Sequence, residues 1–323
     1  MRRMMLLAVV SLAVAVVAGA GGARPSSVRD TQDAIAAPCA VDAGTVSSSA
    51  GVSLSFVRGS SVLLASADAS RISTVLRGHG TGDASVWWYD PAWSRDGRCL
   101  ATSVGSFPTG SHEYVDVVVR RGMQKPFAVP GGMSAVSGSP SWSPDGRRLV
   151  LVGYQSGWFG GGLYIRGVGL KADKELTPEV MDAGASFDDH PAWSPDGSKI
   201  AFARTLRRQT GLYVIRPDGR GLRRLATVSG RNPSWSPDSR RLGFDDGRRI
   251  AVINTDGSAL RYLTALSASV NTDPAWSPDG KTIAFSHHAS AKSKVSDIWL
   301  MNSDGGNQRL FVKNGSQAAW KAQ

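Results

Sequence analysis

Six repeated four-stranded β units, joined end to end and closed into a ring, are the architecture this sequence predicts. Three observations predict it. The heptad Pro-Ala-Trp-Ser-Pro-Asp-Gly stands at 191–197 and again at 274–280, with near-copies at 91–97, 140–146 and 233–239. Its tryptophans Trp93, Trp142, Trp193, Trp235 and Trp276, followed by Trp320 near the C-terminus, are spaced by 49, 51, 42, 41 and 44 residues. That spacing is the length of one propeller blade. Composition agrees: 37 Gly, 16 Pro and only three Glu (Glu113, Glu175, Glu179) among 26 acidic residues favour turns over helices. The fold class is therefore all-β, a six-bladed β-propeller of four-stranded antiparallel blades.

Taken from the N-terminus, residues 1–23 read as a signal peptide. Arg2 and Arg3 form a basic start, residues 4–17 an apolar core, and Ala18-Gly19-Ala20 or Ala23 a small-residue cleavage site. The alternative is an uncleaved membrane anchor, for which the run is short. Residues 24–50 read as a flexible tail and 51–323 as the propeller. VSLSFVR (52–58), SVLLASA (61–67) and RISTVLR (71–77) supply a second, third and fourth strand without a first. QAAWK (317–321) supplies a first strand without the rest. Pairing the two ends completes one blade and leaves no free edge.

The internal units read alike. In 272–312, DPAWS is the innermost strand, PDG a turn, KTIAFSH the second strand, SDIWLMN the third and QRLFV the outermost. The units at Trp193 and Trp235 follow with KIAFAR, GLYVIR and LRRLA, and with RLGFDD, RIAVIN and LRYLT. Ser-Pro-Asp-Gly suits a type I turn, in which Pro sets φ, Asp caps the backbone and Gly takes the left-handed region. Ser239 in place of Gly, and Arg95 in place of Pro, cost on the order of 1 kcal/mol each. The tryptophans fill the space between adjacent blades. Asp96, Asp145, Asp196, Asp238 and Asp279 are dispersed around a ring, as turn formers are and the acids of a single active site are not.

These PxWSPDG units, the DGS-type turns and the pairing of the two ends resemble the WD40-like repeats of TolB-type six-bladed propellers, over roughly residues 50–321. The resemblance implies a partner docking at a channel mouth. TolB-type proteins carry a separate domain ahead of the propeller. Here only about 25 residues lie between the signal segment and the first strand, too few for a domain.

Strand order puts the heptad turns on one face, the bottom, and the divergent loops on the other, the top, where function on a repeated scaffold is expected. The residue three before each tryptophan begins the innermost strand and should ring the channel mouth: Asp90, Ser139, His190, Asn232, Asp273 and Gln317. All six are polar, as a cation or polar-ligand site requires, and as the rim of a water-filled channel equally requires. Trp87, Trp158, Phe159, Phe187, Arg207, His287 and His288 fall in the top loops and are candidate partner contacts. Cys99 replaces the polar Arg148, Lys199, Arg241 and Thr282 of the other units, so an exposed side chain is expected there. In an exported protein it would bridge to Cys39, the only other cysteine.

Formal charge is +11, and removal of Arg2 and Arg3 with residues 1–23 leaves 35 − 26 = +9. Basic pairs are scattered around the repeats rather than gathered in a stripe, so no nucleic-acid partner is expected. The sequence has no Gly-x-Ser-x-Gly element and no His-x-x-x-His spacing. The expectation is an exported, monomeric, non-enzymatic interaction module of the periplasm or cell exterior. It needs no cofactor or metal and binds an envelope protein, peptide or anionic glycan on its top face. Membrane contact would come only through an uncleaved signal. The alternatives are a metal-dependent glycan-acting enzyme and a cation or small-ligand sensor, both using the channel-mouth residues.

Overall fold

A computed structural model describes residues 53–78, 84–108, 114–121, 127–128, 137–153, 161–168, 173–177, 187–225 and 228–322. The signal segment, the tail, Cys39, Trp158 and Phe159 lie outside the described residues. Among the described residues, 24 strands form six four-stranded sheets and no helix is long and apolar enough to cross a membrane.

Blade 1 closes the ring. The C-terminal strand Ser316–Lys321 is innermost and pairs antiparallel with Ser53–Arg58, which continues outward to Ser61–Ala65 and Ile72–Leu76. Blades 2 to 6 each run outward in chain order from an innermost strand that ends on a motif tryptophan: Ala84–Trp93, Ser137–Trp142, Phe187–Trp193, Arg231–Trp235 and Val270–Trp276.

The core lies between blades. Trp142 packs with Ala101, Val117 and Val119 of blade 2 and with Leu149 and Leu151 of its own blade 3. Trp193, Trp235 and Trp276 do the same at the next three boundaries, each buried to 6–7% exposure. Indole N–H groups reach back across the boundary: Trp142 to the Ala92 carbonyl at 3.1 Å, Trp235 to Ala192 at 2.9 Å and Trp320 to Ala275 at 2.9 Å. These three tryptophans therefore add a directed bond to their apolar burial, whereas the Trp276 indole N–H is buried without a partner among the described residues.

The heptad turns are structural, and their serine does more than sequence reasoning assigned to it. In blade 2, Ser94 Oγ donates to Asp96 Oδ1 at 2.6 Å and accepts from the Cys99 amide at 2.9 Å. Ser194, Ser236 and Ser277 make the same clasp, and all are almost fully buried. Ser239 takes the left-handed region at φ 58°, as the four turn glycines do.

Two expectations need correction. Cys99 is fully buried among Ala101, Val117 and Trp142, not exposed; a small side chain at this strand start is covered where Arg148 in the next blade extends into solvent. Cys99 is in a disulfide, and the one other cysteine of the sequence is Cys39. Two of the top loops, at 103–108 and 204–211, are also taken up by strand where the sequence predicts loop, because strand pairing continues into them. Ile200–Leu206 and Gln209–Ile215 are joined by Arg207 and Arg208 alone, and Ala84–Trp93 pairs with Cys99–Pro108 along ten residues each.

Candidate functional site

Proline at the first position of each heptad shapes the site. Pro91, Pro140, Pro191, Pro233 and Pro274 cannot donate to the ladder. Pairing between the first and second strands skips there, between Tyr89 and Ala92, Gly138 and Ser141, Asp189 and Ala192, Arg231 and Ser234, and Thr272 and Ala275. Blade 1 has the same irregularity opposite Gln317 and Ala318. The first residue within each skip, directly before the proline or before Ala318, is a bulge residue with positive φ: Asp90 51°, Ser139 50°, His190 47°, Asn232 49°, Asp273 53° and Gln317 51°.

These are the six residues expected at the rim. The structure brings all of them together around one cavity of about 160 Å³ at the channel mouth, backed by the proline collar. The left-handed region favours Gly, then Asn and Asp, so part of the polarity follows from backbone geometry. None of the six is Gly, however. Each retains a side chain at a position where Gly is the less strained choice.

Hydrogen bonds knit the ring in sectors. Gln317 Nε2 donates to Asp90 Oδ1 at 2.7 Å, and Ser139 Oγ donates to Asp90 Oδ2 at 3.0 Å. His190 Nδ1 sits 3.0 Å from Asp189 Oδ2. Asn232 Nδ2 donates to both Asp273 Oδ1 and Asp245 Oδ2 at 2.8 Å, while its Oδ1 is buried without a partner. Asp245 comes from the second strand of blade 5 and was not among the expected residues. Its signal was a carboxylate closing the apolar alternation of RLGFD, where the side chain is 1% exposed.

Electrostatics follow from the crowding. Burial pushes the Asp90 carboxyl up, against the His190 charge and the Ser139 hydrogen bond. Burial, with the neighbouring Asp273 charge, raises Asp245 to about 7. Burial opposes protonation of His190, but the Asp189 hydrogen bond and the charges of Asp189, Asp90 and Asp273 outweigh it and hold the imidazole at about 9. Three carboxyl groups, Asp189, Asp90 and Asp273, thus act on one imidazolium, and the mouth favours positive charge and hydrogen-bond donors. Among the described residues, no three His, Cys, Asp or Glu side chains converge as a metal-ligand set.

The other candidate contacts are dispersed around the top face. Trp87 is 43% exposed, whereas its neighbour Trp88 is buried. Phe187, half-buried, begins the innermost strand of blade 4. Arg207 sits at an exposed hairpin tip. His287 is half-buried, with Nδ1 2.8 Å from Asn271 Oδ1 and its ring 4.7 Å from that of Trp299; His288 ends the same strand, half-buried. Asp188, directly behind the rim, is fully committed: it takes a bidentate pair from Arg204 at 2.6 Å and a 2.6 Å bond from Thr177.

No family model matches the chain. It is 33% identical over 116 residues to a protein TolB homolog of Chlorobium luteolum, covering 35% of this chain and 24% of that one. It is 36% identical over 99 residues to the Tol-Pal system protein TolB of Anaeromyxobacter dehalogenans, covering 30% of this chain and 21% of that one. The matches thus span about a quarter of the curated relatives' length. Among solved structures, that of a putative TolB from Agrobacterium tumefaciens aligns with a TM-score of 0.61 at 20% identity, covering 84% of this chain and 92% of that one.

Proposed function

On the premise that the chain is a TolB-like six-bladed propeller, we propose that it is an exported, non-enzymatic binding module of the cell envelope. Its channel mouth receives a cationic group of a protein or peptide partner. One observation carries this reading: six bulge residues, none of them Gly, hold polar side chains around a single acidic cavity. A lysine, arginine or N-terminal amine fits that chemistry, since it brings positive charge to Asp90 and Asp273 and a donor to the free Asn232 Oδ1. The same carboxylates repel an anionic glycan at this position. Envelope export is supported by the basic and apolar N-terminal segment and by the Tol-Pal name of the Anaeromyxobacter relative.

Chemical crosslinking in cells, followed by affinity recovery of the wild-type protein and of a D90N/D273N variant, tests the proposal. Asn tolerates positive φ, so the variant keeps the backbone and removes two charges. The partner recovered with wild type should be lost or strongly depleted with the variant. An unchanged partner list overturns the reading.

A further inference from the structure

Below the proline collar the channel widens into a second chamber of about 490 Å³, within the range of small-molecule pockets. Its wall is the repeated part of the heptads: tryptophan, proline, alanine and serine. One side chain breaks that pattern. Arg95 occupies the position held by Pro144, Pro195, Pro237 and Pro278 in the other turns, and among the described residues it is the only charged one lining the chamber. The substitution gives up the φ restriction that favours the turn, yet the turn itself is unchanged, with Gly97 N bonded to Ser94 O at 2.8 Å. Proline is therefore not needed for this turn to form.

Its side chain leaves its own blade. Arg95 Nη1 donates to the Pro195 carbonyl at 3.1 Å, which places the guanidinium beneath the chamber, two blades along the ring. That bond uses one of five N–H donors, and it is the only hydrogen bond of the group among the described residues. The surrounding turns add Arg98, Arg147, Arg240 and Lys281 directly after the turn glycine or Ser239. Their aspartates are already engaged by the serine clasp, as Asp96 and Asp238 are. The clasp keeps the carboxylates of Asp145, Asp196, Asp238 and Asp279 ionised, so the turns around the lower opening carry charges of both signs, and Arg95 is the charged side chain that lines the chamber itself.

We propose that the lower chamber is a binding site for a small aromatic carboxylate, with the carboxylate on Arg95 and the apolar body against the tryptophan and proline wall. The guanidinium fork matches a carboxylate in bidentate fashion, and Arg95, itself exposed, presents it at the open lower end of the chamber. An uncharged ligand of the same shape gains only the wall.

Titration of intrinsic tryptophan fluorescence tests this on the whole chain, because Trp93, Trp142, Trp193, Trp235, Trp276 and Trp320 all line the chamber. The probes are 4-phenylbutyrate and its uncharged amide, 4-phenylbutanamide. Wild type should show a saturable change with the acid and bind the amide about tenfold more weakly. Arg95→Pro restores the residue of the other turns and should keep the fold by circular dichroism. It should lose about tenfold in affinity for the acid and none for the amide. Equal affinity of wild type for acid and amide, unchanged acid affinity in Arg95→Pro, or no saturable response of wild type up to about 10 mM overturns the site.

Discussion

Gln317 and Asp90, 227 positions apart in the chain, exchange two hydrogen bonds: Nε2 to Oδ1 at 2.7 Å, and the Asp90 amide to Oε1 at 3.2 Å. One residue lies on the C-terminal strand and the other on the innermost strand of blade 2. The seam that closes the ring is thus also part of the channel rim. Gln317→Ala removes both bonds and leaves Asp90 half-partnered in a buried setting. We expect it to lower unfolding free energy by about 1–2 kcal/mol in chemical denaturation.

The blade boundaries give a second prediction. Trp142→Phe keeps most of the apolar surface between blades 2 and 3 but loses the bond to the Ala92 carbonyl, and should cost about 1 kcal/mol. Trp142→Ala also opens a cavity and should cost about 3–5 kcal/mol. Equal losses for the two variants would show that the indole is not acting through its ring.

The pH dependence of stability follows from two groups. His190, ordinarily near 6.5, is held at about 9, so its contribution is complete below pH 6.5 and is lost as pH rises through 9. Asp245 is raised from 3.8 to about 7, so the folded state binds its proton more tightly, and stability is lost as pH rises from 3.8 through 7. Both run the same way, and stability should fall steadily from about pH 5 to about pH 9. Asp273→Asn removes a charge that raises both values. Its denaturation midpoint should vary less across that range, and a curve parallel to wild type would contradict the assignment.

The arginine hairpin carries a fourth, independent expectation. Arg207 and Arg208 take φ of 47° and 67° in a two-residue turn, a geometry that Asn-Gly adopts with far less strain. An R207N/R208G variant should be more stable by about 1–2 kcal/mol. A loss of stability would mean that the two side chains hold the hairpin in place.

Much of this was legible in the sequence, for a physical reason. A repeat that must tile a ring repeats its packing residue, so Trp93 to Trp320 mark the blades and their boundaries. The residue three before each tryptophan is always the bulge residue, because the proline after it breaks the ladder in five of six cases; counting back therefore finds the rim. Where the geometry does not repeat, counting fails. Asp245 reaches the rim residues Asn232 and Asp273 from a second strand, which no offset from tryptophan indicates. Arg207-Arg208 does not look like a two-residue turn, since neither residue favours positive φ. Cys99 was read from its polar counterparts, whose long side chains escape burial at a position where a short one cannot. In the sequence Arg95 is only a tolerable loss in a turn, because its reach to Pro195 is a tertiary relation.

The acidic mouth as the partner-binding surface is the central claim, and site-specific photocrosslinking tests it most directly. Phe187, on the top face, and Ser198, in a bottom turn, are each replaced by p-benzoylphenylalanine and irradiated in cells. A discrete partner adduct should form from position 187, disappear when D90N/D273N is added, and not form from position 198. An adduct from 198 and none from 187, or one from 187 that survives the loss of both carboxylates, would contradict the claim.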